Sequence, residues 1–260
     1  MMSPDRDAGR AARERPNVRW EMAKAAWRGF AVVARDVTDD MRERSAVVLA
    51  PHPDDETLGC GGTIALKTRA GSPVTVVIAT DGRLSPRRIG TSADEVVATR
   101  RREASAAAAI LGAGEPVHLP FADGQLRSSP DDLEKIVGEQ LRALEVDQVF
   151  APSPGDPHPD HAALGTAVRR VLSGWTGPAP QLLEYPIWQR VSIRSTGRCL
   201  VDWRRLTRVD ISATLPAKRA ALACYASQLS GDVAMTGPLL HPRFTMAFLG
   251  QHEVFIRVRP

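Results

Sequence analysis

The stretch SAVVLAPHPDDETLGCGG, residues 45–62, decides how the rest of the chain is read. Five consecutive apolar or small residues, Ala46 to Ala50, have the length and character of a strand buried on both faces. The run ends where His52, Asp54, Asp55 and Glu56 arrive together, and Gly59, Gly61 and Gly62 then open an apolar helical run from Thr63 to Ala70. Strand, reactive loop and helix follow in turn. In open α/β sheets ligands sit outside the carboxyl ends of the strands, so the four polar residues fall where a site belongs.

Downstream the unit repeats. Pro73 to Thr80 reads as a second buried strand ending in Asp81-Gly82, and a helix over Ala93–Leu111 stops at Gly112. Val97, Arg100, Ala104, Ala107 and Leu111 share one face of it. Arg100 there is either a snorkelling side chain paired with Glu103 or a cation that meets a substrate or a site carboxylate. Val117 to Phe121 is a third strand, followed by Asp123-Gly124. After a helix with Ser129 as N-cap and Pro130 in its first turn, Asp147 to Ala151 is a fourth strand. It runs into PSPGDPHPDH, residues 152–161, and a helix from His161 to Leu172. Gln181 to Tyr185 is a fifth strand. Repeated βα units imply an α/β fold with a mostly parallel sheet and right-handed crossovers. Every unusual polar cluster then lies at one edge.

The flanks are plainer. Met1–Asn17 is an Arg-rich arm, and Trp20, Trp27, Ala31 and Ala34 mark an amphipathic helix within Val18–Val37 that packs on the domain or on a second subunit, so a homo-oligomer is one expectation. Residues 1–43 thus precede one principal domain, 44–260. Toward the end, Cys199–Ile211 suggests one or two strands, Thr214 starts a helix, Ser230–Met246 reads as a loop and Val254–Val258 as a closing strand.

Composition excludes several classes. The net charge is +4, but thirty of the 34 basic residues are Arg spread along the chain with no nucleic-acid motif, so no nucleic-acid partner is expected. Three scattered cysteines fit no disulfide framework, and no stretch resembles a secretory signal or a membrane span. A cytoplasmic protein without a membrane partner is expected.

Two His-rich loops carry the chemistry: His52-Pro53-Asp54-Asp55-Glu56 and His158-Pro159-Asp160-His161. A catalytic divalent ion commonly takes three His or carboxylate ligands and keeps one position open, a demand that His52, Asp55 and His161 meet. Zinc suits this set, and so does ferrous iron. Asp54 is left as a general base, and His158 as an imidazolium that steadies an oxyanion or protonates a leaving amine, with Asp160 holding it charged. Taken singly, Asp54, Asp55 and Asp160 also suit helix N-caps. Two such dense loops at equivalent strand ends are much harder to explain that way. A dinucleotide site is disfavoured, because Ile64 stands where the third glycine of the fingerprint belongs.

PHPDDETLGCGG, the ATDG that ends the second strand, Arg100 with Glu103, PHPDH, and Lys218-Arg219-Ala220-Ala221 followed by Ser227-Gln228 together resemble the zinc-dependent LmbE-like or PIG-L-type N-deacetylases, over Ala46 to Leu229. The resemblance implies a Rossmann-like sheet with helices on both faces. It also implies zinc on His52, Asp55 and His161, Asp54 as base, and His158 with Asp160 beside it. The implied substrate is a small N-acylated amino sugar or sugar-bearing molecule, with an amidase for larger acyl groups or a non-catalytic binding relative as alternatives. Arg83 departs from the family, which often has an acidic residue there. Arg100, Asp81 and His241 are candidate substrate contacts, whereas Lys218 reads as a snorkelling residue at the core edge.

Overall fold

A computed structural model describes residues 18–85, 90–192, 194, 196, 200–230 and 240–258. In chain order the elements are α1 (Val18–Val33), β1 (Arg35–Asp36), α2 (Thr38–Arg42), β2 (Ala46–Ala50), α3 (Asp55–Arg69), β3 (Val74–Thr80), α4 (Ala93–Leu111), β4 (Val117–Phe121) and α5 (Pro130–Leu144). They continue with β5 (Gln148–Pro152), α6 (Pro159–Ser173), β6 (Gln181–Tyr185), β7 (Leu206–Asp210), α7 (Leu215–Ala223), α8 (Ala226–Leu229), α9 (Pro242–Thr245) and β8 (His252–Arg257).

Among the described residues eight strands form one sheet in the order β1-β7-β8-β6-β5-β2-β3-β4. β2 is buried throughout and has parallel neighbours on both sides, β3 and β5. β4 and β6 extend the parallel part outward. β8 then runs antiparallel between β6 and β7, and the two-residue β1 lies parallel to β7 at that edge. At the opposite edge β4 carries Pro120, exposed and without an N–H.

Alternation along β2 divides the core, as the period of two requires. Ala46, Val48 and Ala50 face Leu58, Ile64, Ala104, Leu111 and Leu222 of α3, α4 and α7. Val47 and Leu49 face Leu133, Val137, Leu164 and Val168 of α5 and α6. Helices therefore cover both faces, as the βα repeats lead one to expect.

Helix α3 departs from expectation. It begins at Asp55, not Thr63, and Gly59, Gly61 and Gly62 lie inside it. Close approach of other elements explains them: Tyr185 presses on Gly59, and a Cβ on Gly62 would stand 2.5–2.7 Å from three carbons of the fully buried Ile211. Gly62→Ala gains about 1 kcal/mol of helix preference but overpacks a site with no room to retreat. We expect a net loss of about 1–2 kcal/mol, read from the urea midpoint, whereas a stabilised variant would disprove the close packing.

A buried ion pair threads the same helix. Lys218 lies 2.6 Å from Glu253, each about 1% exposed, so Lys218 is a core residue and not the snorkelling one expected. Glu253 accepts the N–H groups of Gly62 and Thr63 at 2.8 Å and the Thr63 hydroxyl at 2.5 Å. Lys218 donates to the Leu58 carbonyl, which in a regular helix faces the Gly62 N–H.

The N-terminal helix packs on its own chain. Trp27 is buried with Phe30 against Leu206 and Val254, and its indole N–H donates to the Gln189 carbonyl at 3.2 Å. Trp20 meets Phe244. Among the described residues no helix is long and apolar enough to cross a membrane. Cys60 and Cys224 are free thiols, and Cys199 lies outside the described residues.

Candidate active site

The chain leaves β2 toward β3 on one side and reaches β5 on the other, so the crevice between the carboxyl ends of β2 and β5 is the sheet's topological switch point. Both His-rich loops open there. Seven of the nine candidate residues, His52, Asp54, Asp55, Arg100, His158, Asp160 and His161, line one cavity of about 400 Å³.

Asp55, in the first turn of α3, receives the His52 backbone N–H, and its Oδ2 lies 3.1 Å from His52 Nδ1 and 3.2 Å from His161 Nε2. Bond lengths of about 2.0–2.1 Å place the ligand atoms of a tetrahedral zinc roughly 3.3 Å apart, and the two distances from Asp55 match that spacing. The second nitrogen of His161, Nδ1, is buried without a hydrogen-bond partner and lies 3.7 Å from Asp156 Oδ1. A carboxylate in that position is the usual orienting neighbour of a ligating imidazole.

Other donors crowd the same place. Nitrogens of His52, His158 and His161 lie close enough to meet at one ion, as do donor atoms of His52, Asp123 and Asp160. Asp123, placed by the sequence at the same sheet edge but given no role there, lies 3.1 Å from His52 Nε2. Its one signal is an Asp-Gly pair at a strand end. Burial alone would lower the imidazolium of His52, but hydrogen bonds to Asp123, Asp160 and Asp55 raise it well above its ordinary value.

Asp54 has the only positive φ, 124°, among described non-glycine residues outside the α5 C-terminus. The conformation turns its carboxylate onto Arg100 Nη2 at 2.9 Å, while its N–H donates to Glu56 at 3.0 Å. Arg100 also donates to the Pro53 carbonyl and lies 3.5 Å from Glu103. The arginine, only 2% exposed, thus lines the cavity beside the Asp54 carboxylate. Glu103 accepts from the N–H and hydroxyl of Ser227, and Glu56 from the hydroxyls of Thr57 and Tyr225.

These surroundings separate two adjacent carboxyls. Burial pushes Asp54 well above the usual range, with Asp55 and Glu56 adding and Arg100 opposing. Asp55 is likewise buried, but His161 and His52 hold it well below that range. The two neighbours thus shift in opposite directions, Asp54 toward holding a proton more readily than an exposed carboxyl and Asp55 toward staying ionised.

His158 differs from expectation. It caps α6, with Nδ1 accepting the Asp160 N–H at 3.3 Å, so a neutral ring carries its proton on Nε2. Burial, then His161 and His52, lower its pKa. The Asp160 carboxylate only partly offsets that lowering; it lies 3.3 Å from His52 Nε2 and accepts the N–H groups of Gly124 and Leu126.

Asp81 and His241 are not among the cavity's described lining. Asp81 is 2.6 Å from Arg83 and accepts the Asp123 N–H, bracing two loops. His241 caps α9 through the Arg243 N–H. Asp156 is a buried acid the sequence reading passed over, although it stands within PSPGDPHPDH.

A His and carboxylate cluster that could hold a metal ion thus lies in a cavity at the switch point of a mostly parallel sheet. Residues 47–172 match the family described as PIG-L: GlcNAc-PI de-N-acetylase. The chain is 29% identical over 243 residues to 2'-N-acetylparomamine deacetylase of Streptomyces fradiae, covering 85% of this chain and 86% of that one. It is 30% identical over 194 residues to a probable N-acetyl-alpha-D-glucosaminyl L-malate deacetylase 2 of Bacillus cereus, covering 72% and 84%. The fold matches N,N'-diacetylchitobiose deacetylase of Pyrococcus horikoshii with a TM-score of 0.68 at 23% identity, over 90% of this chain and 92% of that one. The chain belongs to the PIG-L, or LmbE-like, deacetylase family.

Proposed function

We propose that the protein is a zinc-dependent N-deacetylase that hydrolyses the amide of an N-acylated amino sugar or sugar-bearing small molecule, with acetyl the first acyl group to test. The observation that carries this reading is Asp55 Oδ2 set between the nitrogens of His52 and His161, with Asp54 adjacent and turned to the same cavity. The relatives support it, since those named above act on N-acetylated sugars.

His52, Asp55 and His161 would hold the ion, and ferrous iron suits the same donors. Bound there, a divalent ion acidifies water and polarises the amide carbonyl. Asp54 takes the proton as water attacks the carbonyl carbon, and Arg100 keeps its carboxylate in place. His158, with its proton on Nε2, donates a hydrogen bond to the oxygen on which negative charge develops. Collapse of the tetrahedral intermediate breaks the C–N bond as the nitrogen takes the proton that Asp54 received from water, and the amine and the acid leave, the acid giving up its proton to the amine or to solvent. The buried acids around His52 also favour a cationic product over a neutral one.

Metal analysis of protein purified without chelator, coupled to amine release from N-acetylglucosamine and its glycosides, tests the proposal. About one ion per chain is expected, with activity lost on chelation and restored by zinc. His161→Ala should lose both ion and activity. Amine release that survives complete metal removal would sink this mechanism.

A further inference from the structure

The cavity lining is of two kinds. Beside the polar His and Asp cluster it has an apolar part that includes Ile187, Trp188, Leu240 and Phe244, together with the exposed Leu84. Hydrolysis of an acetamide uses only the polar part. Sugar hydroxyls packed against the apolar part would leave water without gaining equivalent partners.

This wall is built to hold its place relative to the reacting centre. Asp156 is the fastener. Its Oδ1 accepts the His158 N–H at 3.0 Å and lies 3.7 Å from His161 Nδ1, while its Oδ2 accepts the N–H groups of Ile187, Trp188 and Gln189 at 3.1, 2.8 and 3.4 Å. One buried carboxylate therefore ties the histidine loop to the first half of the wall. From behind, Trp188 and Phe244 stack at 4.8 Å, Phe248 meets Phe244 at 5.1 Å, and Trp20 of α1 meets it at 6.5 Å. Trp27 of the same helix holds the Gln189 carbonyl. The N-terminal helix, which lies outside the matched residues 47–172, thus supports the cavity wall.

We infer that this apolar part is a subsite for a hydrocarbon or aromatic group carried by the substrate, so that the enzyme prefers an amphiphilic N-acyl amino sugar to a bare one. The inference rests on the N-deacetylase reading and names its substrate class. The apolar group reaches the wall from one of two places: the acyl chain on nitrogen, or an aglycone on the sugar.

The test uses the full chain loaded with zinc and two substrate pairs, each below its micelle-forming concentration: methyl and hexyl glycosides of N-acetylglucosamine, and N-acetyl- and N-hexanoylglucosamine. A fully buried methylene is worth about fourfold, so partial burial of a six-carbon chain should raise kcat/KM about tenfold or more within one pair, mainly through KM. The pair that responds identifies the aglycone or the acyl group as the source. Trp188→Ala and, separately, the milder Phe244→Leu should bring that ratio toward one. Equal kcat/KM within both pairs for the unmodified enzyme overturns the inference while leaving the deacetylase reading intact. Should none of the four release amine, that reading fails, and calorimetric titration of the same compounds onto Asp54→Asn protein decides the subsite. Tighter binding of a hexyl or hexanoyl compound upholds it, and equal binding removes it.

Discussion

Asp54→Asn is expected to lower kcat by about 10²- to 10⁴-fold, the usual worth of a general base, while zinc content stays at the level of the unmodified protein. Asn keeps the shape of the carboxylate and an oxygen for Arg100, so the 2.9 Å contact survives in neutral form. It is also among the residues that best tolerate positive φ, which position 54 demands. Arg100 retains Glu103 and the Pro53 carbonyl. The amide cannot take a proton from water. Steady-state kinetics with metal analysis and a urea midpoint on the same preparation separate loss of the base from loss of fold. An Asn variant within threefold of normal turnover would remove Asp54 from that role.

Glu253→Ala should produce the largest loss of stability, about 3–5 kcal/mol. The variant leaves the Lys218 ammonium buried without its counter-ion, and it strips the acceptor from Gly62 N–H, Thr63 N–H and the Thr63 hydroxyl. Burial already depresses Lys218 below the ordinary lysine value, with Glu253 opposing. A domain stable by about 5–15 kcal/mol loses a large part of its margin, and the melting temperature should fall by roughly 6–20 °C. Replacing both partners, as in Lys218→Met with Glu253→Gln, should recover part of the loss, because no unpaired charge remains. A Glu253→Ala protein melting within 2 °C of the parent would show that the pair is not structural.

What was legible in the sequence was local and periodic. The strand Ala46–Ala50 announced itself by an unbroken apolar run, and both His-rich loops stood at strand ends where the fold brings them together. What was not legible depended on elements distant in sequence. Gly59 and Gly62 looked like the lead-in to a helix because the chain does not display Tyr185 and Ile211, whose approach makes glycine necessary within it. Asp160 seemed bound to partner its neighbour His158. The start of α6 turns it instead toward His52 and the Gly124 N–H, contacts that depend on how two loops meet. Lys218 carried no sign of its pairing with Glu253, thirty-five residues on. Backbone hydrogen bonding of a two-residue strand such as β1 leaves no periodicity to read.

The two ends of the sheet have a bearing on self-association. At one border the outermost strand is only Arg35 and Asp36, both exposed, and at the other β4 presents Pro120. An incoming strand meets either too short a ladder flanked by charges or a position with no N–H to share, the usual guards against chains adding edge to edge. Among the described residues, fibre-like stacking of strands is therefore opposed at both borders of the sheet.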